Sequence, residues 1–267
     1  MTDLAVVMAG GRSARMRATA GPRHKALVTV GGMTLIEFNV RQLVAAGFRD
    51  LIVVTAAAEP ELTAYVDEYL APLAATLSAS LARRTESAPL GNIGFVGTID
   101  RRVDDALVVY VDNLTTLDLR KLLALHRERG HDLTIAVHEE PFNFPYGVLD
   151  VRAGRVVAYD EKPLLRARIS SGTCVVGRAA RDLIPAGERL DARDLFRLLA
   201  DRGRIVGAYE HSAPWIDVNE GEAIERAEQL IASHAAAFAE YAQDVIPFYF
   251  LEGRASAGQA RFAAQFG

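Results

Sequence analysis

The sequence predicts an α/β fold, a mostly parallel mixed sheet flanked by helices, on three observations. Short apolar runs alternate with segments of helical periodicity through the first half of the chain. Glycine or proline marks several of the boundaries between them. From about residue 142 to residue 177 the pattern changes to short strand-like runs in succession, which predicts a β-rich insertion. Alternation of strand and helix calls for parallel strands covered by helices, because each crossover returns over a face of the sheet.

The elements follow in order. The β-branched run 4–8 reads as a buried parallel strand. Residues 34–46 carry apolar side chains at helical spacing and stop at Gly47. Residues 51–55 form a second strand, and 60–70 a helix that begins near Pro60. A strand over 106–111 precedes a helix over 118–129 ended by Gly130, and 133–137 is again a strand. Within the insertion, 147–151, 155–159 and 169–176 are strands, with Ala153-Gly154 as a turn. Residues 220–241 are alanine-rich and helical. The tail 244–267 mixes aromatics, glycines and charges. Its Phe248, Tyr249 and Phe250 suit a subunit interface or a cover over the core, and predict a homo-oligomer. Neither an internal repeat nor a low-complexity linker is present.

Composition bounds the function. At 267 residues the chain can bury one large core or two small ones. Its formal net charge of −4 gives no basic footprint, which argues against nucleic acid as a partner. The single cysteine, Cys174, forms no internal disulfide and fits a reducing compartment. It sits in an apolar strand-like run, so core packing is expected of it. The polar Asp3 and the short apolar lead before the glycines do not make a signal peptide. Nothing approaches the ~20 apolar residues that span a bilayer. The expectation is a cytoplasmic protein with no membrane contact.

The most informative stretch runs from Val6 to Met16 and on to Val28. The first strand ends in Ala9-Gly10-Gly11, followed by Arg12, Ser13 and Arg15, and by Lys25 after a short polar loop. Glycines there let the backbone approach a ligand, and freed N–H groups cradle phosphate oxygens. Arg15 and Lys25 would supply the charge a triphosphate requires. An ordinary glycine turn with two solvated cations is the alternative.

This opening, with Val30-Gly31-Gly32-Met33-Thr34-Leu35-Ile36 behind it, resembles the sugar-1-phosphate nucleotidyltransferases. Their signature runs Gly-Gly-x-Gly-Thr-Arg-Leu/Met, Lys-Pro and Val-x-Gly-Lys-Pro-Leu-Ile. Here Ser13-Ala14 replaces Gly-Thr, and His24 replaces the proline before the lysine. The opening also resembles the molybdenum-cofactor nucleotidyltransferases. The resemblance implies a Rossmann-like nucleotide-diphospho-sugar transferase fold with a C-terminal helical extension. A transferase domain would span 1–230, with a nucleotide-binding half at 1–140 and a sugar-binding half at 141–218; the extension would be 231–267.

Asp112 closes an apolar strand. Read alone, such a carboxylate serves a helix N-cap as readily as a Mg²⁺ ion. The resemblance, which continues through Val137, implies that Asp112 is a metal ligand. Trp215-Ile216-Asp217 resembles the family's Trp-x-Asp-x-Gly and implies Asp217 as the second ligand of Mg²⁺, with Asn219 for the glycine. Pro89-Leu90-Gly91-Asn92-Ile93-Gly94 resembles the loop near base and sugar. It adds Pro89 and Gly91 to a nucleotide site of Ala9, Gly10, Gly11, Arg12, Ser13, Arg15 and Lys25. Glu161-Lys162-Pro163 resembles the segment that gives a carboxylate to sugar hydroxyls and a lysine to the sugar phosphate. Gly147 and Ser171-Gly172 complete that implied sugar-phosphate site. The implied reaction joins an NTP to a sugar 1-phosphate in line, giving an NDP-sugar and pyrophosphate, with Arg15, Lys25, Asp112 and Lys162 as catalytic groups. The alternatives are transfer to a non-sugar phosphate such as phosphocholine, a non-catalytic sensing homologue, and a glycosyltransferase, which would prefer an Asp-x-Asp that Asp112-Asn113-Leu114 does not supply.

Overall fold

A computed structural model describes residues 3–11 and 13–242. The apolar run after Asp3 forms β1 (Leu4–Ala9), buried at every position. Helix α1 (Ala14–Ala20) occupies most of the stretch expected to be a polar loop before Lys25. A tight hairpin of β2 (Thr29–Val30) and β3 (Met33–Thr34) then leads into α2 (Leu35–Ala45). Thr34 caps α2 by accepting from the Glu37 amide at 3.2 Å. Strand β4 (Asp50–Ala56) follows.

The helix expected over 60–70 starts at Pro60 and continues further. It runs as α3 (Pro60–Tyr65), a π turn over Val66–Leu70, and α4 (Ala71–Thr76). The wide π turn, in which the Ala71 amide reaches the Val66 carbonyl, carries the helix past Pro72. Then come β5 (Ser80–Glu86), β6 (Asp105–Tyr110), β7 (Asn113–Thr115) and α5 (Leu119–Arg129). Helix α5 starts on the Asp118 cap and ends at Gly130, which is left-handed at φ 61°.

The insertion is built from β8 (Leu133–Asn143), β9 (Val148–Arg152), β10 (Arg155–Asp160) and β11 (Leu164–Gly177). Strands β8 and β11 run well past their expected ends as a long antiparallel arm, and β9–β10 is a separate hairpin. The chain continues through α6 (Arg178–Arg181), α7 (Ala192–Asp201), β12 (Val206–His211), β13 (Trp215–Asp217), α8 (Glu222–Ser233) and α9 (Ala235–Ala239).

The central sheet has the order β12-β8-β11-β6-β1-β4-β5. Six strands run one way and β11 runs against them. Along β1, Ala5, Val7 and Ala9 enter the core beneath α2 and α5, whereas Leu4, Val6 and Met8 enter the opposite core beneath α7. Burial on both faces explains the unbroken apolar run. The alanine-rich C-terminal segment breaks at His234 and packs on α2, with Phe238 5.4 Å and Tyr241 5.6 Å from the Phe38 ring. Among the described residues no helix is long and apolar enough to cross a membrane. The aromatic tail and its implied oligomer contacts lie outside the described residues, as does Arg12.

Candidate active site

From β1 the chain crosses to β4 on one side, and later returns to place β6 on the other. The crevice between the carboxyl ends of β1 and β6 is therefore the switch point where α/β sheets collect ligands. The Gly10-Gly11 loop leaves β1 there. A Cβ at Gly10 would stand 2.9 Å from Glu86 Oε2, while one at Gly11 would meet nothing within 4 Å. Among the described residues, the backbone at Gly11 thus faces open space.

His24 ties this loop to the turn that carries Lys25. Its Nδ1 accepts from the Ala26 amide at 3.2 Å, so the ring proton is on Nε2, which donates to the Gly11 carbonyl at 2.7 Å. Burial lowers the His24 pKa and keeps the ring neutral. Ser13, left-handed at φ 51°, adds a second tie by accepting from the Lys25 amide at 3.1 Å. Lys25 Nζ in turn donates to Asp112 Oδ2, both side chains being mostly buried.

Asp112 and Asp217 come together through a two-strand ladder. Strands β7 and β13 pair antiparallel with Asn113 opposite Asp217, and the Val218 amide donates to the Asp112 carbonyl at 2.8 Å. Burial first, and then the Asp112 charge, push the Asp217 pKa up to about 6. Asp217 Oδ1 is buried with no hydrogen-bond partner among the described residues. A buried carboxylate oxygen left bare beside a second carboxylate is what a cation would satisfy. The donor set fits Mg²⁺, which commonly takes one or two protein carboxylates and completes its shell with water and phosphate.

A cleft of about 410 Å³ opens onto both aspartates and is walled by Tyr110, Asn113, Gly172 and Trp215, among others. The Trp215 indole donates to Asn113 Oδ1 at 3.0 Å and to the Ser171 carbonyl at 2.9 Å. Gly172 sits at φ 73°, and a Cβ there would strike the Asn113 amide, so the wall requires glycine.

The sequence model of the nucleotidyl transferases matches residues 4–234. The chain belongs to the nucleotidyl transferase family. It is 26% identical over 231 residues to a glucose-1-phosphate cytidylyltransferase of Salmonella typhimurium, covering 79% of this chain and 89% of that one. It is 27% identical over 225 residues to a mannose-1-phosphate guanylyltransferase of Mycobacterium tuberculosis, covering 82% of this chain and 61% of that one. It thus spans about three fifths of the latter's length. The solved structure of HddC from Yersinia pseudotuberculosis has a TM-score of 0.64 at 20% identity, covering 85% of this chain and 98% of that one, which shows the shared fold.

In this nucleotidyl transferase the remaining residues implied by the resemblance divide into two groups. Arg15 is exposed on α1, close enough to lower the Asp217 pKa through its charge. The Pro89 loop reaches α7, where Asn92 Oδ1 accepts from the Ala192 amide at 2.7 Å. Gly91, at φ 78°, has no room for a Cβ beside the Leu190 carbonyl. Gly147, Glu161 and Lys162 form the second group. Glu161 lies beside Gly147 and accepts from the Tyr159 hydroxyl, while Lys162 takes a left-handed φ of 48°. Glu161 and Lys162 are exposed and do not line the cleft that holds the aspartates. The Ser171 hydroxyl is buried, donating to the Ala136 carbonyl at 3.2 Å and bonding His211 Nε2 at 2.9 Å. Ser170 and Gly172 line the cleft in its place.

Two features escaped the sequence reading. Glu86 is buried at the end of β5 against Gly10, and its Oε1 has no partner among the described residues. Burial raises its pKa, opposed by the Leu90 amide. It was missed because β5 is a polar edge strand with no apolar run to mark its end. His24 stands in the sequence as a replacement for proline, but a ring that bridges Gly11 and Ala26 has no local signature. Cys174 packs in the core as expected, its thiol pushed up to about 12 by burial. No group of three or more metal-ligating side chains occurs among the described residues.

Proposed function

We propose that this protein joins a nucleoside triphosphate to a sugar 1-phosphate, forming an NDP-sugar and releasing pyrophosphate. The observation that carries the reading is the Asp112–Asp217 pair at the switch point, with a bare oxygen on Asp217 and Lys25 on Asp112. The relatives named for sugar-1-phosphate nucleotidyl transfer support it.

The phosphate of the acceptor is already anionic, so its attack on the α-phosphorus needs no general base. The new P–O bond forms in line with the bond to pyrophosphate that breaks. Gly10 and Gly11 present main-chain N–H groups to the triphosphate, and Arg15 and Lys25 neutralise its charge. Asp112 and Asp217 would hold Mg²⁺, which when bound supplies positive charge against the α-phosphate. Lys162 orients the sugar phosphate and Glu161 accepts from ring hydroxyls. Catalysis is then positioning and charge stabilisation. A single buried cysteine is consistent with action in the cytoplasm.

The test is pyrophosphate release across ATP, GTP, CTP, UTP and dTTP against hexose and heptose 1-phosphates with Mg²⁺, phosphocholine included. Release that needs one NTP and one sugar phosphate together is expected. Release with phosphocholine alone would overturn the sugar assignment. Silence across the grid, with nucleotide still bound, would point to a sensor.

A further inference from the structure

The β9–β10 hairpin is amphipathic, and its apolar face is uncovered among the described residues. The register sets Arg155 opposite Arg152, Val156 opposite Val151, Ala158 opposite Asp150, Tyr159 opposite Leu149 and Asp160 opposite Val148. Val157 is left as the extra residue of a bulge. Residues opposite one another share a face. Leu149, Val151, Val156 and Tyr159 therefore lie on one face, and the charged residues of both strands lie on the other. Val156 is 59% exposed and Tyr159 63%. A two-stranded hairpin is marginal by itself in water. Among the described residues β10 has one neighbour, so its outer edge is there a free row of N–H and C=O groups.

That edge is complementary to itself. Laid antiparallel on a second copy, Arg155-Val156-Val157-Ala158-Tyr159-Asp160 sets Arg155 opposite the partner's Asp160 and Val156 opposite the partner's Tyr159. In a regular pleat this pairing fails, because positions five apart fall on opposite faces. The bulge at Val157 removes one step, so Arg155 and Asp160 share a face, as do Val156 and Tyr159. The main chain agrees. Arg152 and Arg155 close a two-residue turn through Ala153 (φ 48°) and Gly154 (φ 77°), and such a closing pair exchanges hydrogen bonds. Alternation from there points the Val156 groups outward, and the bulge brings those of Tyr159 outward too. Strand β9 fails the same comparison, since pairing it with itself sets Asp150 against the partner's Asp150. Asp150 is in any case joined to Arg152 at 2.8 Å, whereas Arg155 and Asp160 make no ion pair among the described residues.

We propose that two copies of this chain pair antiparallel through β10, forming a four-stranded sheet held at each end by Arg155 and the partner's Asp160. A six-residue edge buries little area, so the dimer is a weak one, with Kd of roughly 1–100 µM. The proposal is independent of the reaction assigned above. Sedimentation velocity on the full chain over a concentration series tests it. Wild type is expected to dimerise with rising concentration. Asp160→Arg sets Arg155 against an arginine and should weaken the dimer at least about tenfold. Arg155→Asp with Asp160→Arg restores opposite charges and should restore the dimer. Circular dichroism checks that each variant is folded. A monomeric wild type overturns the proposal. So does a dimer indifferent to Asp160→Arg, which would place the contact elsewhere, and so does a double swap that stays monomeric, which would refute the register.

Discussion

The crevice at the carboxyl ends of β1 and β6 and the end of the β9–β10 hairpin hold the two groups of charged residues in the proposed reaction, and they are built in opposite ways. Lys25, Asp112 and Asp217 are mostly buried, and Lys25 and Asp112 are tied by hydrogen bonds to other elements. Glu161 and Lys162 stand in solvent, and among the described residues Glu161 is tied only to its neighbour Tyr159. The first group is an electrostatic site prepared by the fold. The second is a pair of charges on a light arm, set by sequence position more than by packing. Changes in the first should therefore alter chemistry and stability together, the sign for stability depending on the residue, and damage to the second should strike one substrate alone.

The largest effect is expected at Asp112. Asp112→Asn should cut pyrophosphate release about 10³-fold or more while the circular dichroism spectrum is unchanged. Retained activity would remove the aspartate pair from the mechanism. Next is Lys162→Ala, which should raise KM for the sugar phosphate about 10- to 100-fold, leave KM for the NTP alone, and change stability by less than about 0.5 kcal/mol. Equal losses toward both substrates would erase the contrast between the two regions.

A subtler probe is His24. His24→Asn keeps an acceptor for the Ala26 amide and loses the tie to Gly11, whereas His24→Ala loses both. Each lost bond should cost about 1 kcal/mol, so kcat/KM for the NTP is expected to fall in the order wild type, Asn, Ala. Equal loss in the two variants would assign the whole effect to the Gly11 tie. A comparable effect, in stability alone, should be a gain. The Asp217 pKa is raised from its ordinary 3.8 to about 6, so the protonated form is favoured by folding. Its contribution to stability is full below about 3.8 and is lost as pH rises through 6. In metal-free protein, Asp217→Asn should stabilise by roughly 1–2 kcal/mol at pH 7, with the gain fading between pH 6 and 4. Thermal melts across that range with chelator present measure it, and a constant difference would deny the buried charge.

What was legible in the letters follows from burial. Strand β1 is apolar on both faces, and α2 and α5 carry caps and stops, so all three could be read locally. The outer strands β5 and β12 were missed because edge strands have only one neighbour and little apolar surface to bury. Helix α1, which reaches into the polar loop expected before Lys25, carries no apolar stripe to mark it, since only Met16 along it is buried.

The α/β class, the glycine loop after β1 and Asp112 at the end of an apolar strand rest on a few adjacent residues each, and Asp217 was singled out by the resemblance of Trp215-Ile216-Asp217 to the family's motif. The resemblance implied that Asp112 and Asp217, more than a hundred residues apart, meet at one ion; how they meet, in one cleft through the β7–β13 ladder, only the tertiary structure decided. It also decided that His24 bridges the loop to Lys25, that Glu86 faces Gly10, and that the Ser171 hydroxyl turns inward to Ala136 and His211. These are long-range choices of the packed core, in which a side chain's partner is set by which strands lie side by side. That order is written in the summed burial of the whole chain and in no single stretch of it.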